Sequence, residues 1–469
     1  MSFDAAGFLR RREFMGRGAM GFGSLALASL MQDQARGESA GLRPVSPHFP
    51  PRAKQVIFLF MDGGVSHVDS FDPKPLLAKE NGQKPKFQVD KTVFNNNGNI
   101  LKSPWEFRNY GESGLPISDL FPHIGSCADD LCVLRSMTSF SPNHPNAVYS
   151  LHSGHILTGR PSMGAWASYG LGTEGRDLPS YVVIHGGQVP SGGMQSMGNG
   201  FLSAAHEPSI FLPHGQVLKN ISPREASTAI QRRKLDFLRE IDGSLARQRE
   251  DSEAIRSAIR NYEMAYRMQM SVPDVADLET ESKATKSLYG LDSKTKATRT
   301  YGAQCLMARR LVERGVRFIE LTIDKAGGDR WDQHSKLKEG HEANAAMVDQ
   351  PIAGLLKDLK SRGLLESTLV VFAGEFGRTP FAQGRDGRDH NPQGFSIWMA
   401  GGGVRGGMTY GETDEYGYRV IDKKMTVHDL HANMLHLMGM DHTQLTFRYG
   451  GRDTRLTDVH GEIIPEILV

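Results

Sequence analysis

Two acidic residues in this sequence follow apolar runs, at positions where a carboxylate could bind a metal ion. Residues 55–61 form an apolar run that leads into Asp62, and residues 368–373 form another that leads to Glu375. In an open α/β sheet, ligands bind beyond the carboxyl ends of the strands, so a carboxylate there is well placed to hold a cation. A turn capped by an aspartate is the alternative interpretation of Asp62, since two glycines follow it.

Three further residues complete a mixed set of carboxylates and imidazoles. Asp332 and His334 follow a third apolar run, and His390 follows a glycine-containing loop after Glu375. A single histidine is more often structural than a ligand, but several near strand ends indicate a site. Carboxylates beside imidazoles suit zinc, manganese or magnesium, and calcium if oxygen atoms predominate. We therefore predict a divalent metal site formed by Asp62, Asp332, His334, Glu375 and His390.

Other polar side chains have two interpretations each. Arg378 follows Glu375 by three positions, and its guanidinium group could bind an oxyanion through two N–H groups as a catalytic contact. A salt bridge between Arg378 and Glu375 is an equally good interpretation. His428, His431 and His436 have ligand-like spacing, but they lie in an amphipathic segment, which favours a structural role in a packed helix.

Apolar runs alternate with helical patterns along the chain. Runs at 55–61, 181–184, 316–323, 368–373 and 395–400 predict strands that are buried on both faces, as in parallel sheets. The segments between them contain apolar residues at helical spacing. Strands that alternate with helices predict an α/β fold with a mainly parallel central sheet flanked by helices.

The 469 residues are expected to form one large domain over residues 50–469. Residues 231–298 are charged and helical in pattern, which indicates a helical insertion at the surface. Residues 85–120 carry scattered glycine, proline and asparagine, the composition of a long loop or a small hairpin.

Composition excludes several classes of protein. Hydrophobic residues make up 39% of the chain and charged residues 23%, which excludes wholesale disorder. The net charge of +2 gives no reason to expect nucleic-acid binding or a polybasic membrane surface. Three cysteines, Cys127, Cys132 and Cys305, cannot form a disulfide framework, and we expect them to be buried. A disulfide between Cys127 and Cys132 is the alternative if the protein is exported.

The N-terminal segment has the pattern of an export signal. Residues 11–15 (Arg-Arg-Glu-Phe-Met) resemble a twin-arginine signal, and a weakly apolar stretch, shorter than the ~20 residues of a membrane span, follows them. We assign residues 1–40 to this signal and a linker, with an amphipathic N-terminal helix as the alternative. The mature chain is then exported by the twin-arginine machinery to the periplasm or cell envelope, with no transmembrane span.

The order of the motifs resembles one family. Residues 355–377 look like the helix, strand and acidic residue of the alkaline-phosphatase and sulfatase superfamily, and residues 157–161 (Leu-Thr-Gly-Arg-Pro) are similar to the end of the sulfatase nucleophile helix. A narrower resemblance is to the sulfatase-like proteins grouped as domain of unknown function 1501. The motifs that carry it lie at residues 61–64, 331–334, 374–380, 387–390 and 426–461.

This resemblance implies an alkaline-phosphatase-like sandwich and metal-dependent hydrolysis of sulfate or phosphate esters. The ligands it implies are Asp62 after the first strand, Glu375 in the later strand motif, Asp332 and His334 in the other metal site, and His390 as a late histidine. The phosphatase pattern spaces its aspartate and histidine four residues apart. Asp332 and His334 are only two apart, which puts one of them in doubt as a ligand.

The sequence also departs from the superfamily pattern. Phe376 stands where the superfamily has a histidine or asparagine ligand, and the sulfatase motif Cys-x-Pro-Ser-Arg is absent. Tyr149 occupies the position of the nucleophile, for which tyrosine is an unusual substitute. Ser150, Ser153 and the loop 143–146 offer other places for a nucleophile, but hydroxyls within helices are mostly structural. The nucleophile is therefore not assigned.

The expected function is an exported, metal-dependent hydrolase of sulfate or phosphate esters, with a small molecule or a polysaccharide as the ester substrate. A different expectation is a non-catalytic relative that binds sulfated glycans or metal in the cell envelope, which Phe376 and the missing nucleophile favour. A third is a mutase-type phosphotransferase, which requires a hydroxyl nucleophile.

Overall fold

The structure, a computed structural model, describes residues 44–469 apart from 92, 93, 95, 176, 215, 216, 219–224, 226, 249–252 and 326–328. The predicted signal peptide and linker at residues 1–40 lie outside the described residues.

Strands occur along the whole described chain. In order they are β1 (Gln55–Phe60), β2 (Asn97–Ile100), β3 (Phe107–Tyr110), β4 (Leu115–Ser118), β5 (Leu131–Thr138), β6 (Tyr181–Ile184), β7 (Ser209–Phe211), β8 (Phe318–Thr322), β9 (Thr368–Ala373), β10 (Gly377–Gln383), β11 (Gly387–Asn391), β12 (Phe395–Ala400), β13 (Met408–Tyr410), β14 (Glu412–Thr413), β15 (Val420–Asp422), β16 (Met425–Thr426), β17 (Phe447–Tyr449) and β18 (Arg452–Thr454).

Along the chain, most of the α-helices occur between strands of the largest sheet. They are α1 (Pro75–Lys79), α2 (Pro122–Gly125), α3 (His144–Ser153), α4 (Met163–Leu171), α5 (Thr228–Gln248), α6 (Glu253–Ala276), α7 (Lys283–Leu288), α8 (Lys296–Glu313), α9 (Leu337–Ser361) and α10 (Val427–Leu437).

The largest sheet has the strand order β13-β5-β12-β9-β1-β8-β6-β7, and β16 also pairs with β5. Strand β1 lies parallel to both β8 and β9, whereas β12 runs antiparallel to its two neighbours, β9 and β5. The remaining pairs, β6 with β8, β6 with β7, β13 with β5 and β16 with β5, are parallel. The sheet is therefore mainly parallel.

Both faces of this sheet are covered by apolar side chains from helices. Along β1, Ile57 and Leu59 belong to one buried cluster, and Val56, Phe58 and Phe60 belong to another, as the alternation of a strand requires. Helices α8 and α9 contribute to the first cluster, and α3, α4 and α10 contribute to the second. The predicted α/β fold with a mainly parallel central sheet flanked by helices is confirmed.

A second, three-stranded sheet has the order β11-β10-β2 and carries several of the predicted site residues. Its β10–β11 hairpin is joined to the segment after β1 by a buried ion pair. Arg388 donates from Nε to Asp69 Oδ2 at 2.7 Å and from Nη2 to Asp69 Oδ1 at 3.1 Å, and both side chains are 0% exposed. This bidentate pair fixes the hairpin against the end of the central sheet.

The segment 231–298, predicted as a helical insertion, is helical in its described part. Helix α5 is largely exposed, but Met264, Met268 and Val272 of α6 belong to the first apolar cluster. That this segment is an insertion into one domain over residues 50–469 stays a prediction. Residues 85–120 contain β2 and the β3–β4 hairpin.

Two other features bear on sequence expectations. Cys127, Cys132 and Cys305 are buried and not joined by a disulfide. Among the described residues, every helix is too short or too polar to cross a bilayer.

We expect Arg388→Met to destabilise the protein because the buried Asp69 carboxylate would lose its charged partner. The free energy of unfolding should fall by about 3–5 kcal/mol, as is usual when one member of a buried pair is removed. Guanidinium chloride unfolding, followed by the fluorescence of the buried tryptophans, measures the change. The control is Arg419→Met, which removes a pair with Asp90 whose side chains are 44% and 36% exposed and should cost less than about 1 kcal/mol. Equal losses in the two variants would contradict this role of the pair.

Candidate metal centre

The register of β1 and β9 brings Asp62 and Glu375 together. Phe60 is paired with Ala373, and each acidic residue follows two positions later. Both carboxylates are buried, at 1% exposure. The intervening chain turns at Gly63, which has φ of +109° and donates its N–H to Glu375 Oε1 at 3.0 Å. A Cβ atom there would lie 2.7 Å from the backbone nitrogen of Trp331, so the site requires glycine.

The other predicted ligands converge on one carboxylate oxygen. His334 Nε2 lies 2.9 Å from Asp332 Oδ1, and His390 Nε2 lies 3.2 Å from the same atom. A third imidazole, that of His144, also approaches Asp332 Oδ1 through Nε2, at 3.2 Å. Potential ligand atoms of His144, Asp332, His334 and His390 all lie within 4.8 Å of one another.

His144 also belongs to a second group, with Asp62 and Glu375, whose potential ligand atoms lie within 4.8 Å of one another. Its Nδ1 lies 2.5 Å from Glu375 Oε1. His144 is the first residue of α3, and Asn143 at its N-cap has extended backbone. One imidazole ring thus connects the two groups of potential ligands.

Each of the three imidazole rings is oriented through its Nδ1 atom. His144 donates from Nδ1 to Glu375, and His390 donates from Nδ1 to the carbonyl of Pro142 at 2.6 Å. His334 donates from Nδ1 to Gln383 Oε1. Histidines that bind metals characteristically donate the other ring N–H to a carboxylate, an amide or a carbonyl, which fixes the ring. All three rings here follow that pattern.

The carboxylates, imidazoles and the Arg378 guanidinium of this region shift one another's pKa values. Burial lowers the pKa of His390 to about 4, although its contact with Asp332 opposes the shift. Burial alone would also lower the pKa of His144, but its hydrogen bonds to Asp332 and Glu375 outweigh this and raise the value to about 9. Asp332 itself would titrate higher because of burial, yet Arg378 and the imidazoles hold its pKa well below the usual range.

These observations fit a bound cation. His390 donates from Nδ1 to the carbonyl of Pro142 at 2.6 Å, which directs its Nε2 atom toward Asp332 Oδ1, 3.2 Å away. Nitrogen and oxygen atoms that approach one another in this way can bind one ion together. Three imidazole nitrogens and one carboxylate are a donor set suited to zinc and related transition metals, more than to calcium or magnesium.

Arg378 lies at the base of this group. Its side chain is 0% exposed and donates from Nε to the carbonyl of Gly64 at 3.0 Å, from Nη1 to the carbonyl of Arg388 at 3.2 Å, and from Nη2 to the carbonyl of Gly63. Nη2 also lies 2.7 Å from Asp332 Oδ1. The observed carboxylate partner is therefore Asp332, and not Glu375 as one interpretation of the sequence proposed.

Asp62 has a different set of partners. Ser191 donates to it from both its backbone nitrogen, at 3.0 Å, and its hydroxyl, at 2.9 Å. Arg330 forms an ion pair with Asp62 through Nη1. Burial and the nearby Glu375 carboxylate raise the pKa of Asp62 to about 6, against the lowering effects of Arg330 and Ser191.

Phe376 takes up space beside the imidazoles. Its ring is 1% exposed, with the ring centroid 4.7 Å from that of His144 and 4.5 Å from that of His390. Gly64, with φ of +78°, lies against this ring, since a Cβ atom there would approach it to 2.9 Å. The phenylalanine ring thus packs against the imidazoles at the position where the family resemblance leads one to expect a further ligand.

The structure brings all five predicted metal ligands to one region, and it adds two residues that sequence reasoning did not name. The sequence does not mark His144 as a ligand, and residues 143–146, predicted as a loop, are instead the N-cap and first turn of α3. Arg330, two residues before Asp332, had no motif to mark it. Of the hydroxyls considered for a nucleophile, Ser150 and Ser153 are buried on α3, and Ser153 donates to the carbonyl of Tyr149.

The C-terminal histidines contact the other end of α3. His428 Nε2 lies 2.7 Å from the carbonyl of Gly154, and His431 Nε2 lies 2.8 Å from the carbonyl of Leu151. Both side chains are buried on α10. Their contacts are those of structural histidines.

Comparisons with known proteins give a family and several distant structural likenesses. A family model described as "Protein of unknown function (DUF1501)" matches residues 53–468. No protein with a curated description matches the sequence.

Three solved structures illustrate the likenesses. The PsFucS1 sulfatase from Pseudoalteromonas sp. has a TM-score of 0.35 and 13% identity, with 87% of this chain and 72% of that chain covered. The lipoteichoic acid synthase LtaP from Listeria monocytogenes has a TM-score of 0.34 and 9% identity, with coverage of 91% and 80%. The alkaline phosphatase from the Antarctic bacterium TAB5 has a TM-score of 0.35 and 9% identity, with coverage of 83% and 99%. Likenesses of this size do not define a function.

We expect His390→Ala to weaken zinc binding more than the roughly 10–100-fold that loss of an outer hydrogen-bond partner costs, because it removes a ligand. Equilibrium dialysis with zinc, followed by elemental analysis, measures the affinity and the number of ions per chain. His436→Ala is the matched control, since His436 lies on α10 outside both ligand groups. Equal zinc affinity of the two variants would rule out His390 as a ligand.

Proposed function

This chain belongs to the DUF1501 family, as its motifs predicted, and we propose that it is a metal-dependent hydrolase of sulfate or phosphate esters. The observation that carries the proposal is the convergence of three imidazole Nε2 atoms on the Asp332 carboxylate. This convergence lies at the edge of the sheet where ligands bind in α/β proteins. The side chains of Asp332 and His334 are 30% and 25% exposed, so a substrate can reach them.

His144, Asp332, His334 and His390 would hold the metal, and zinc or manganese suits their donor atoms best. When bound, the ion supplies Lewis-acid activation of the ester and stabilises negative charge on the leaving oxygen. Arg378 acts as a positioning residue, because its guanidinium group fixes Asp332 from the buried side. The Nδ1 contacts keep the Nε2 atoms directed toward the ligand position.

One apolar side chain beside the centre suits the organic part of an ester. Phe94 is 56% exposed, and its ring centroid lies 4.8 Å from that of His334 in an edge-on arrangement. An exposed aromatic ring next to the open side can pack against a flat or apolar face, as that of a sugar ring or an aryl group. This supports an ester on a small molecule or a polysaccharide as the substrate.

Phe376 favours a second candidate function, that of a non-catalytic metal-binding or sulfated-glycan-binding protein of the cell envelope. Its buried ring packs beside both His144 and His390 and covers that side of the centre with an apolar group. Such a protein would bind metal through the same residues but would not turn over an ester.

We also propose that the protein is exported through the twin-arginine machinery to the periplasm or cell envelope, on the basis of residues 11–15.

Hydrolysis of nitrophenyl phosphate and nitrophenyl sulfate by the zinc- or manganese-loaded protein tests the function. Turnover of either ester is expected, and Asp332→Asn should lower kcat/KM by about 100-fold or more, because a misplaced ligand or a missing charge at the centre costs several kcal/mol. Asp324→Asn is the matched control, since Asp324 also follows a strand, β8, but lies outside both ligand groups.

The outcomes separate the two candidate functions. Bound metal together with turnover that Asp332→Asn abolishes supports the hydrolase. Bound metal with no turnover of either ester, after addition of zinc, manganese, magnesium and calcium in turn, refutes the hydrolase and supports the binding protein.

Export is tested with the full chain. We expect Arg11→Lys together with Arg12→Lys to keep the protein in the cytoplasm, because the paired arginines form the signal. Cell fractionation and immunoblotting measure the distribution, with Arg17→Lys as the control outside the pair. Unchanged export of the double variant would contradict the twin-arginine assignment.

A further inference from the structure

Asp62 has a positively charged partner within this chain, Arg330. Arg330 forms its ion pair with Asp62 through Nη1, and the same nitrogen donates to the carbonyl of Val189 at 3.1 Å. Asp62 is 1% exposed and also accepts two hydrogen bonds from Ser191. Its carboxylate is therefore already neutralised and hydrogen-bonded without a metal ion.

The two arginines of the centre differ in what they can offer a ligand. Arg378 is 0% exposed and donates to three backbone carbonyls and to Asp332. Arg330 is 16% exposed in its side chain, and its contacts within the described chain use Nη1. Among the described residues, no hydrogen-bond or ion-pair partner contacts Nε or Nη2 of Arg330, so these N–H groups can donate to a ligand.

Arg330 lies close to the ligand groups in the chain and in space. It precedes Asp332 by two residues, and the backbone nitrogen of the intervening Trp331 donates to the carbonyl of Asp62 at 3.3 Å. Asp62 in turn belongs with His144 and Glu375 to a group whose ligand atoms lie within 4.8 Å of one another. The guanidinium group therefore stands beside the centre, next to the ligands of one potential ion.

We propose that Arg330 takes the place of a second cation at this centre and binds the charged oxygen atoms of the ester. The centre then holds a single metal ion, at His144, Asp332, His334 and His390. This inference rests on the proposed function, because it names the group that recognises the anionic part of the substrate. Arg330 is the anion-binding arginine, and Arg378 is the one that positions Asp332.

The charges of the site agree with this arrangement. With the three imidazoles neutral, as they are when they bind a metal, the ionised carboxylates of Asp62, Asp332 and Glu375 and the guanidinium groups of Arg330 and Arg378 leave one net negative charge. A single divalent ion makes the sum positive, which attracts a sulfate or phosphate ester. A guanidinium group suits these anions because its planar N–H groups can donate to two oxygen atoms at once.

Calorimetric binding of inorganic phosphate and sulfate to the zinc-loaded protein tests the inference without depending on turnover. We expect one zinc ion per chain in the unaltered protein. Arg330→Gln should keep that ion and weaken binding of the anion that the unaltered protein prefers by about 10-fold or more, the loss that a charged hydrogen bond of this kind represents. Arg330→Lys should recover part of the affinity, because it keeps the charge but not the paired N–H groups.

The control is Arg405→Gln, which removes an exposed guanidinium that donates to the carbonyl of Leu468 far along the chain and should leave anion binding unchanged. Circular dichroism and the melting temperature show that each variant is folded, and Arg330→Lys carries the test if Arg330→Gln is not. Two zinc ions per chain in the unaltered protein, or equal anion affinity in the Arg330 and Arg405 variants, would overturn the inference. A protein that binds no metal at all would instead refute the proposed function.

Discussion

The buried guanidinium of Arg378 is the interaction on which the centre depends. It joins three parts of the chain, because it donates to carbonyls of the turn after β1, to a carbonyl of β11 and to the carboxylate of Asp332. A fully buried positive charge requires a negative partner and acceptors for its N–H groups. Asp332 meets that requirement and is held in one position as a result. That position is where the imidazoles of His144, His334 and His390 converge.

Two other arginines, Arg388 and Arg330, each form an ion pair with a different aspartate near the site. Arg388 and Asp69 form a bidentate pair that fixes the β10–β11 hairpin. His390, on β11, is thereby held with its Nε2 atom 3.2 Å from Asp332 Oδ1. Arg330 pairs with the buried carboxylate of Asp62. Asp62, Asp69 and Asp332 thus each have a guanidinium partner, whereas Glu375 is held by the imidazole of His144 and the N–H of Gly63. These partners offset the mutual repulsion of carboxylates that lie in a small, partly buried volume.

The parts of the fold and site that follow from local pattern could be predicted, and those that follow from packing could not. The apolar runs of β1 and β9 predicted strands buried on both faces, and the observed pairing of these two strands brings Asp62 and Glu375 together. Strand β5 mixes polar and apolar residues, so it carried no such signal, although it lies within the central sheet. The role of His144 depends on where α3 begins relative to β9, which no spacing in the sequence encodes. The carboxylate partner of Arg378 likewise depends on the fold, since Asp332 is 46 residues away along the chain.

The start of α3 determines the kind of donor atoms at the proposed centre. Phe376 follows Glu375, and its ring packs against His144, the first residue of α3. The helix thus brings an imidazole to the carboxylates that follow β1 and β9. Since that helix supplies a nitrogen atom to a group that already contains His334 and His390, the donor set becomes rich in imidazole. Nitrogen donors favour zinc and related transition metals over calcium and magnesium, so the ion expected at the proposed centre is a transition metal.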